Sequence, residues 1–145
     1  RQKTVGTLNG IAYINDSKAT NDQAAAMALR TFDPIYWIAG GKSIGGGYAW
    51  CEQYISHVRH AFLIGQAADE MAAWLQKLKV PFTRSGTLDR ALADAHALAQ
   101  TEKKPGGAVL LAPACASFDQ FKSFEHRGDT FTALVEKTLQ IRGAA

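Results

Sequence analysis

The sequence predicts an α/β domain built on a mostly parallel sheet, with one antiparallel strand at its edge. Three observations predict it. Short apolar runs of β type alternate with helical patterns along most of the chain, the order that a parallel sheet with crossover helices produces. An Asn9-Gly10 pair joins the first two runs, and Asn-Gly between such runs is the strongest short hairpin signal. Two dense polar clusters each follow directly on an apolar run, where open α/β sheets place their ligands.

The elements follow in order. Residues 4–8 and 11–14 form the hairpin. The cluster Asn15-Asp-Ser-Lys-Ala-Thr-Asn21 comes next, and then an alanine-rich helix over 23–30. Thr20 and Gln23 stand three apart, as a capping box requires, so Thr20 is the expected N-cap. A buried strand over 35–39 leads into Gly40-Gly-Lys-Ser-Ile-Gly-Gly-Gly47. Residues 49–57 read as helix, 61–64 as strand, 67–78 as amphipathic helix, 80–83 as a short strand and 88–101 as a second alanine-rich helix. The last strand, 108–112, is stopped by Pro113. A final helix is expected from about 128 to 139, with Phe131, Leu134, Val135 and Leu139 on one apolar face.

At 145 residues, 47% hydrophobic and 20% charged, the chain reads as one domain with a sizeable core. The net charge is +3 and no Lys/Arg block stands out, so the basic stripe of a nucleic-acid surface is missing. No apolar run approaches the ~18 residues of a membrane span, and no signal-peptide pattern is present. Cys51 and Cys115 lie far apart without C-x-x-C spacing, the usage of two reduced, mostly buried thiols in a cytosolic protein. The chain opens on Arg1 without a Met, as a piece of a longer protein would.

The first cluster holds six polar residues in seven. Capping plus a local Asp16–Lys18 pair is one reading; an anion site, with helix N–H groups and Lys18 as donors, is the other. Gly40-Gly-Lys-Ser43 imitates a P-loop, but G-x-x-x-x-G-K-[ST] requires glycine where Tyr36 stands. The loop presents Lys42 towards the carboxyl edge of the sheet, or else Lys42 is an ordinary exposed lysine. In the second cluster Phe121 is expected in the core by its spacing, with Phe118 and Phe124 left open. His126 is a candidate general base, yet no G-x-S-x-G elbow supports a hydrolase triad. Cys115 is a weak candidate nucleophile, and His57 with His60 reads as a surface pair rather than zinc ligands. The G-x-G-x-x-G fingerprint of a dinucleotide oxidoreductase is missing.

Ile14-Asn-Asp-Ser-Lys-Ala-Thr-Asn21, taken with Ala114-Cys-Ala-Ser-Phe-Asp-Gln-Phe-Lys-Ser-Phe-Glu-His-Arg-Gly128, resembles the carboxy-terminal domain of the D-glutamate-adding Mur ligases of bacterial peptidoglycan synthesis. The resemblance implies a Rossmann-like, three-layer domain that closes over a central ATPase domain in the cytoplasm. In that family ATP phosphorylates the carboxylate of UDP-N-acetylmuramoyl-L-alanine, and the D-glutamate amine attacks the acyl phosphate. Mapped here, Thr20, Lys42, Ser117, Phe118 and Phe124 would hold D-glutamate. Asp16 and Lys18 would face the nucleotide and the acyl phosphate, and Arg1 stands at the spacing of the arginine that reaches the nucleotide. ATP and Mg2+ are then cofactors of the complete enzyme, whose UDP-binding and ATPase domains lie outside this chain. The chain alone is expected to be inactive, with no nucleic-acid or membrane partner. A free-standing binding module for an amino acid or nucleotide is the alternative.

Overall fold

The computed structural model describes residues 2–140. In chain order it contains β1 (Lys3–Leu8), β2 (Ile11–Asn15), α1 (Asp22–Thr31), β3 (Ile35–Gly40), a 3-10 helix (Ala49–His57), β4 (Val58–Ile64), α2 (Ala68–Lys77), β5 (Phe82–Gly86), α3 (Leu88–Glu102), β6 (Ala108–Leu111) and α4 (Phe124–Leu139). The strands form a six-stranded sheet in the order β1-β2-β6-β3-β4-β5. Only the β1–β2 pair is antiparallel; β2–β6, β6–β3, β3–β4 and β4–β5 all run parallel. At the hairpin tip Asn9 and Gly10 have φ of 52° and 79°, the left-handed pair that a tight hairpin of natural twist demands.

Side chains alternate across each strand and build two apolar cores. Ile14, Trp37, Leu63 and Leu110 face α1, the 3-10 helix and α2, where Leu29, Met71 and Leu75 meet them. Tyr13, Ile38, Phe62 and Val109 face the opposite way, against Leu92 of α3 and Phe131 and Val135 of α4. The mostly parallel sheet is the one the alternation predicts, and its three layers are those the resemblance implies. Trp37 is fully buried and donates its indole N–H to Ala112 O at 2.8 Å, tying the centre of the sheet to the end of its last strand.

β6 positions the site. Its neighbours β2 and β3 lead into α1 and the 3-10 helix on one face, whereas β6 leads into α4 on the other. Loops that part in this way open a crevice at the carboxyl ends of the strands.

Several boundaries differ from expectation. Asn21, not Thr20, is the N-cap of α1: its Oδ1 accepts from Ala24 N at 2.8 Å. α4 starts a turn early because Ser123 Oγ caps it, accepting from His126 N at 3.0 Å. β5 runs later than 80–83, since its parallel pairing with β4 begins at Ala61–Phe82 and ends at Ile64–Gly86. His57 and His60 are half-buried rather than surface residues: His57 Nδ1 lies 2.7 Å from Leu29 O, and His60 Nε2 lies 2.8 Å from Thr83 Oγ1. Phe121 packs against the second core, as its spacing predicts. Among the described residues no helix is long and apolar enough to cross a membrane.

Candidate functional site

Asn15, the last residue of β2, turns the first polar cluster towards the second. Its Nδ2 donates to Gly128 O at 3.0 Å and Thr132 Oγ1 at 3.1 Å, while its Oδ1 accepts from Ser17 N at 3.0 Å. Ser17 Oγ donates to Phe124 O at 2.7 Å. The guanidinium of Arg127 then spans both clusters. Its Nε donates to Ser17 Oγ at 2.9 Å, its Nη2 to Ser17 O at 2.8 Å and its Nη1 to Cys115 O at 3.1 Å. The backbone adds Asp16 N to Leu111 O at 2.8 Å and Ala114 N to Ala19 O at 2.9 Å. The approach is close enough that a Cβ on Gly128 would stand 3.2 Å from the Cβ of Ser17.

Arg127 is 1% exposed, and all three of its acceptors are neutral oxygens. Among the described residues it forms no ion pair. Burial pulls its pKa down to about 10, with Cys115 and Asp119 opposing the shift, so it remains cationic at neutral pH. The two clusters therefore rest on a buried positive charge that makes no ion pair among the described residues, with Asp119 the carboxylate that acts on it from nearby, and its field favours an anion above it.

The glycine loop after β3 joins the same edge. Lys42 N donates to Ala116 O at 2.8 Å and Ala116 N to Lys42 O at 3.0 Å, an isolated antiparallel bridge. Gly41 makes this approach possible: φ is +133°, and a Cβ there would stand 2.4 Å from Ala116 O. Beyond Lys42 the loop is held by α2, where Glu70 Oε2 accepts from Ser43 Oγ at 3.0 Å and also from the Tyr48 hydroxyl. Asp119 Oδ2 accepts from Gln66 N at 3.0 Å, drawing the loop after β4 to the second cluster.

The site residues predicted from sequence fall into two groups. Lys42 is exposed and its backbone pairs beside Ser117, which is buried, while Phe118 is 68% exposed next to it. Asp16, Lys18 and Thr20 share the β2–α1 loop, with Asp16 buried, Thr20 half-buried and Lys18 exposed. Lys18 stands between two clefts. One, of about 370 Å³, is lined by Gln2, Asp16, Lys18, Ala19, Ala24 and Met27. The other, of about 220 Å³, includes Asn15, Ser17, Lys18 and Phe124. Phe124 thus shares a cleft with Lys18, and neither cleft is lined by Lys42 or Ser117. Arg1 lies outside the described residues.

Two candidates have other roles. Burial pushes the Cys115 thiol up to about 11, which keeps it protonated and poorly nucleophilic. His126 Nδ1 lies 3.1 Å from Lys122 N, and its ring packs edge-on against Phe121, so it closes the turn before α4. Sequence reasoning missed Arg127 and Gly41 as the residues that assemble the site. Gly41 had a signal, a glycine directly after a strand; Arg127 stands inside the second polar cluster, but nothing in its spacing marks it as buried.

No family model matches the chain. It is 55% identical over 136 residues to the UDP-N-acetylmuramoylalanine–D-glutamate ligase of Paramagnetospirillum magneticum, covering 94% of this chain and 30% of that protein. It is 50% identical over 145 residues to the ligase of the same name from Rhodospirillum rubrum, covering 100% of this chain and 30% of that one. The chain belongs to the Mur ligase family. It spans about 30% of the length of these relatives, so it corresponds to one part of such a ligase. A domain attributed to a UDP-N-acetylmuramate:L-alanyl-gamma-D-glutamyl-meso-diaminopimelate ligase of Haemophilus ducreyi superposes with a TM-score of 0.57 at 14% identity, over 97% of this chain and 98% of that one. At that identity the likeness shows the Mur ligase domain fold alone.

Proposed function

We propose that this chain is the carboxy-terminal, D-glutamate-binding domain of a UDP-N-acetylmuramoylalanine–D-glutamate ligase, working in the bacterial cytoplasm. The observation that carries the reading is the joining of both polar clusters and the Lys42 loop at one sheet edge, over the buried Arg127 cation. D-Glutamate presents two carboxylates. The Lys42 ammonium and the hydroxyls of Thr20 and Ser117 are suitable donors to them, and Phe118 and Phe124 cover the carbon chain. Lys18, exposed between two clefts, faces the acyl phosphate with Asp16, and its charge offsets the negative charge that builds as the amine attacks.

In the complete enzyme ATP and Mg2+ supply the activated acyl group. Among the described residues no three His, Cys, Asp or Glu side chains gather as a metal site. In this reading Lys18 takes a phosphate-facing role, and the metal is held in the complete enzyme by the other domains of the same protein. UDP-N-acetylmuramoyl-L-alanine is likewise held there.

The domain by itself binds weakly in this account. Three charge-assisted contacts of roughly 1.5–3 kcal/mol each are no larger together than an association cost of ~4–15 kcal/mol, so the affinity is millimolar or weaker. The test is kinetic, on the full-length ligase carrying Lys42→Ala. The KM for D-glutamate should rise by roughly tenfold or more, the loss of one charge-assisted contact, with the KM for ATP within about twofold. Equal rises in both would contradict the assignment.

A further inference from the structure

The loop that carries Lys42 has almost nothing of its own to hold it. Gly45, Gly46 and Gly47 have φ of +87°, +81° and +74°, and a Cβ added at any of them would meet no atom within 4 Å. Ile44, the one large side chain between Ser43 and Tyr48, is 59% exposed. A segment this rich in glycine and this poor in packing has many accessible conformations. Its order is imposed from outside, at its two ends. One end is the Lys42–Ala116 bridge. The other is a single carboxylate oxygen: Glu70 Oε2, from the first turn of α2, accepts from Ser43 Oγ at 3.0 Å and from the Tyr48 hydroxyl. Ser43 Oγ in turn accepts from Gly45 N at 3.3 Å. Tyr48 is itself fixed, 5% exposed, with its ring 5.4 Å from that of Trp74 and its hydroxyl 3.7 Å from Cys115 Sγ. Glu70 therefore closes the glycine span into a ring whose first member is the residue after Lys42.

We infer that Glu70 is a positioning residue for Lys42: by clasping Ser43 and Tyr48 it sets the direction in which the Lys42 ammonium leaves the sheet edge, and so sets affinity for the dicarboxylate. The inference rests on the proposed D-glutamate role of Lys42. Glu70 touches no substrate in this account and acts only through the loop.

The full-length ligase tests it with Glu70→Ala, Glu70→Gln, Lys42→Ala and the double variant Glu70→Ala/Lys42→Ala. Glu70→Ala should raise the KM for D-glutamate roughly tenfold, the scale of hydrogen bonds to a charged acceptor, while the KM for ATP stays within about twofold. Glu70→Gln keeps an acceptor oxygen and should recover most of the loss. In the double variant the KM should match that of Lys42→Ala alone, because the clasp acts only through that lysine. Tyr48→Phe, which removes one of the two donors, provides a milder variant should Glu70→Ala melt early, and should move the D-glutamate KM in the same direction. A D-glutamate KM unchanged in both Glu70→Ala and Tyr48→Phe, or effects that add fully to Lys42→Ala, would overturn the clasp. If Lys42→Ala itself leaves the D-glutamate KM unchanged, the reading of Lys42 fails and the clasp falls with it; if only Lys42→Ala has an effect, the clasp alone is wrong.

Discussion

Arg127 grips Ser17 twice, through the hydroxyl at 2.9 Å and the carbonyl oxygen at 2.8 Å, although the two residues are 110 positions apart. The third arm of the same guanidinium holds Cys115 O at 3.1 Å. One planar side chain thus fixes the spacing between two loops that the sheet alone would only bring near each other.

Replacing Arg127 with Met should cost about 3 kcal/mol of unfolding free energy, because three buried acceptors lose their donor at once. Lys should do little better, since a single ammonium cannot reproduce the fixed fork of the guanidinium. Urea unfolding of the three proteins measures this, and a loss under about 1 kcal/mol for either variant would show that the loops hold without it.

Gly41 and Gly45 both have positive φ, yet they should respond differently to alanine. At Gly41 the new Cβ meets Ala116 O at 2.4 Å and the Lys42–Ala116 bridge must open; at Gly45 it meets nothing. The expected losses are about 3 kcal/mol for Gly41→Ala, from strain and clash together, and about 1 kcal/mol for Gly45→Ala, from strain alone. Thermal unfolding of both variants distinguishes them, and equal shifts would contradict the close approach.

Thr20 and Asn21 separate site from scaffold. Asn21→Ala removes the α1 cap and should cost about 1 kcal/mol of stability with little effect on the D-glutamate KM of the full-length ligase. Thr20→Ala should do the reverse, weakening D-glutamate while leaving the melting temperature nearly unchanged. The spacing of Thr20 to Gln23 predicts Thr20 as the cap. The chain decides otherwise, because Thr20 N donates to Lys18 O at 2.9 Å in a turn that delays the helix by one residue.

Stability should fall with acid before the carboxylates titrate. Burial lowers the pKa of His60 and His96 below the usual 6.5, with Arg59 adding to the effect at His60. Gln100 Nε2 donates to the Tyr13 hydroxyl at 3.0 Å, which leaves the tyrosine proton to point at His96 Nδ1, 2.6 Å away. The folded state thus keeps a neutral imidazole, and the unfolded chain takes up the proton first. Stability is complete above pH 6.5 and declines as the pH drops below it. The urea midpoint should decrease between pH 7 and 5, and His96→Gln should flatten that decrease. A midpoint that rises over this range would contradict the sign.

The fold was legible because its strands are. β3 and β6 are uninterrupted apolar runs, and Asn9-Gly10 marks the hairpin unaided. The site was legible only in part. Asp16, Lys18, Thr20, Lys42 and Ser117 stand out from the polarity of their loops, whereas Phe118 and Phe124 enter the site only through the resemblance. Arg127 looks like a loop arginine in sequence, and only pairing across the fold shows it to be buried. The same limit hid the start of α4: Ser123 sits inside a run whose polarity reads as loop, and its capping bond needs the helix already in place.

The most direct test of a single D-glutamate site at the carboxyl edge of the sheet is backbone amide chemical-shift mapping of this domain, which carries both of its apolar cores within the chain. Titration with D-glutamate should give binding at millimolar concentrations or above, with shifts concentrated at residues 16–20, 42–43 and 116–118. Shifts concentrated elsewhere, such as the groove lined by Leu88, Phe121 and Leu134, or spread without focus over the surface, would contradict it.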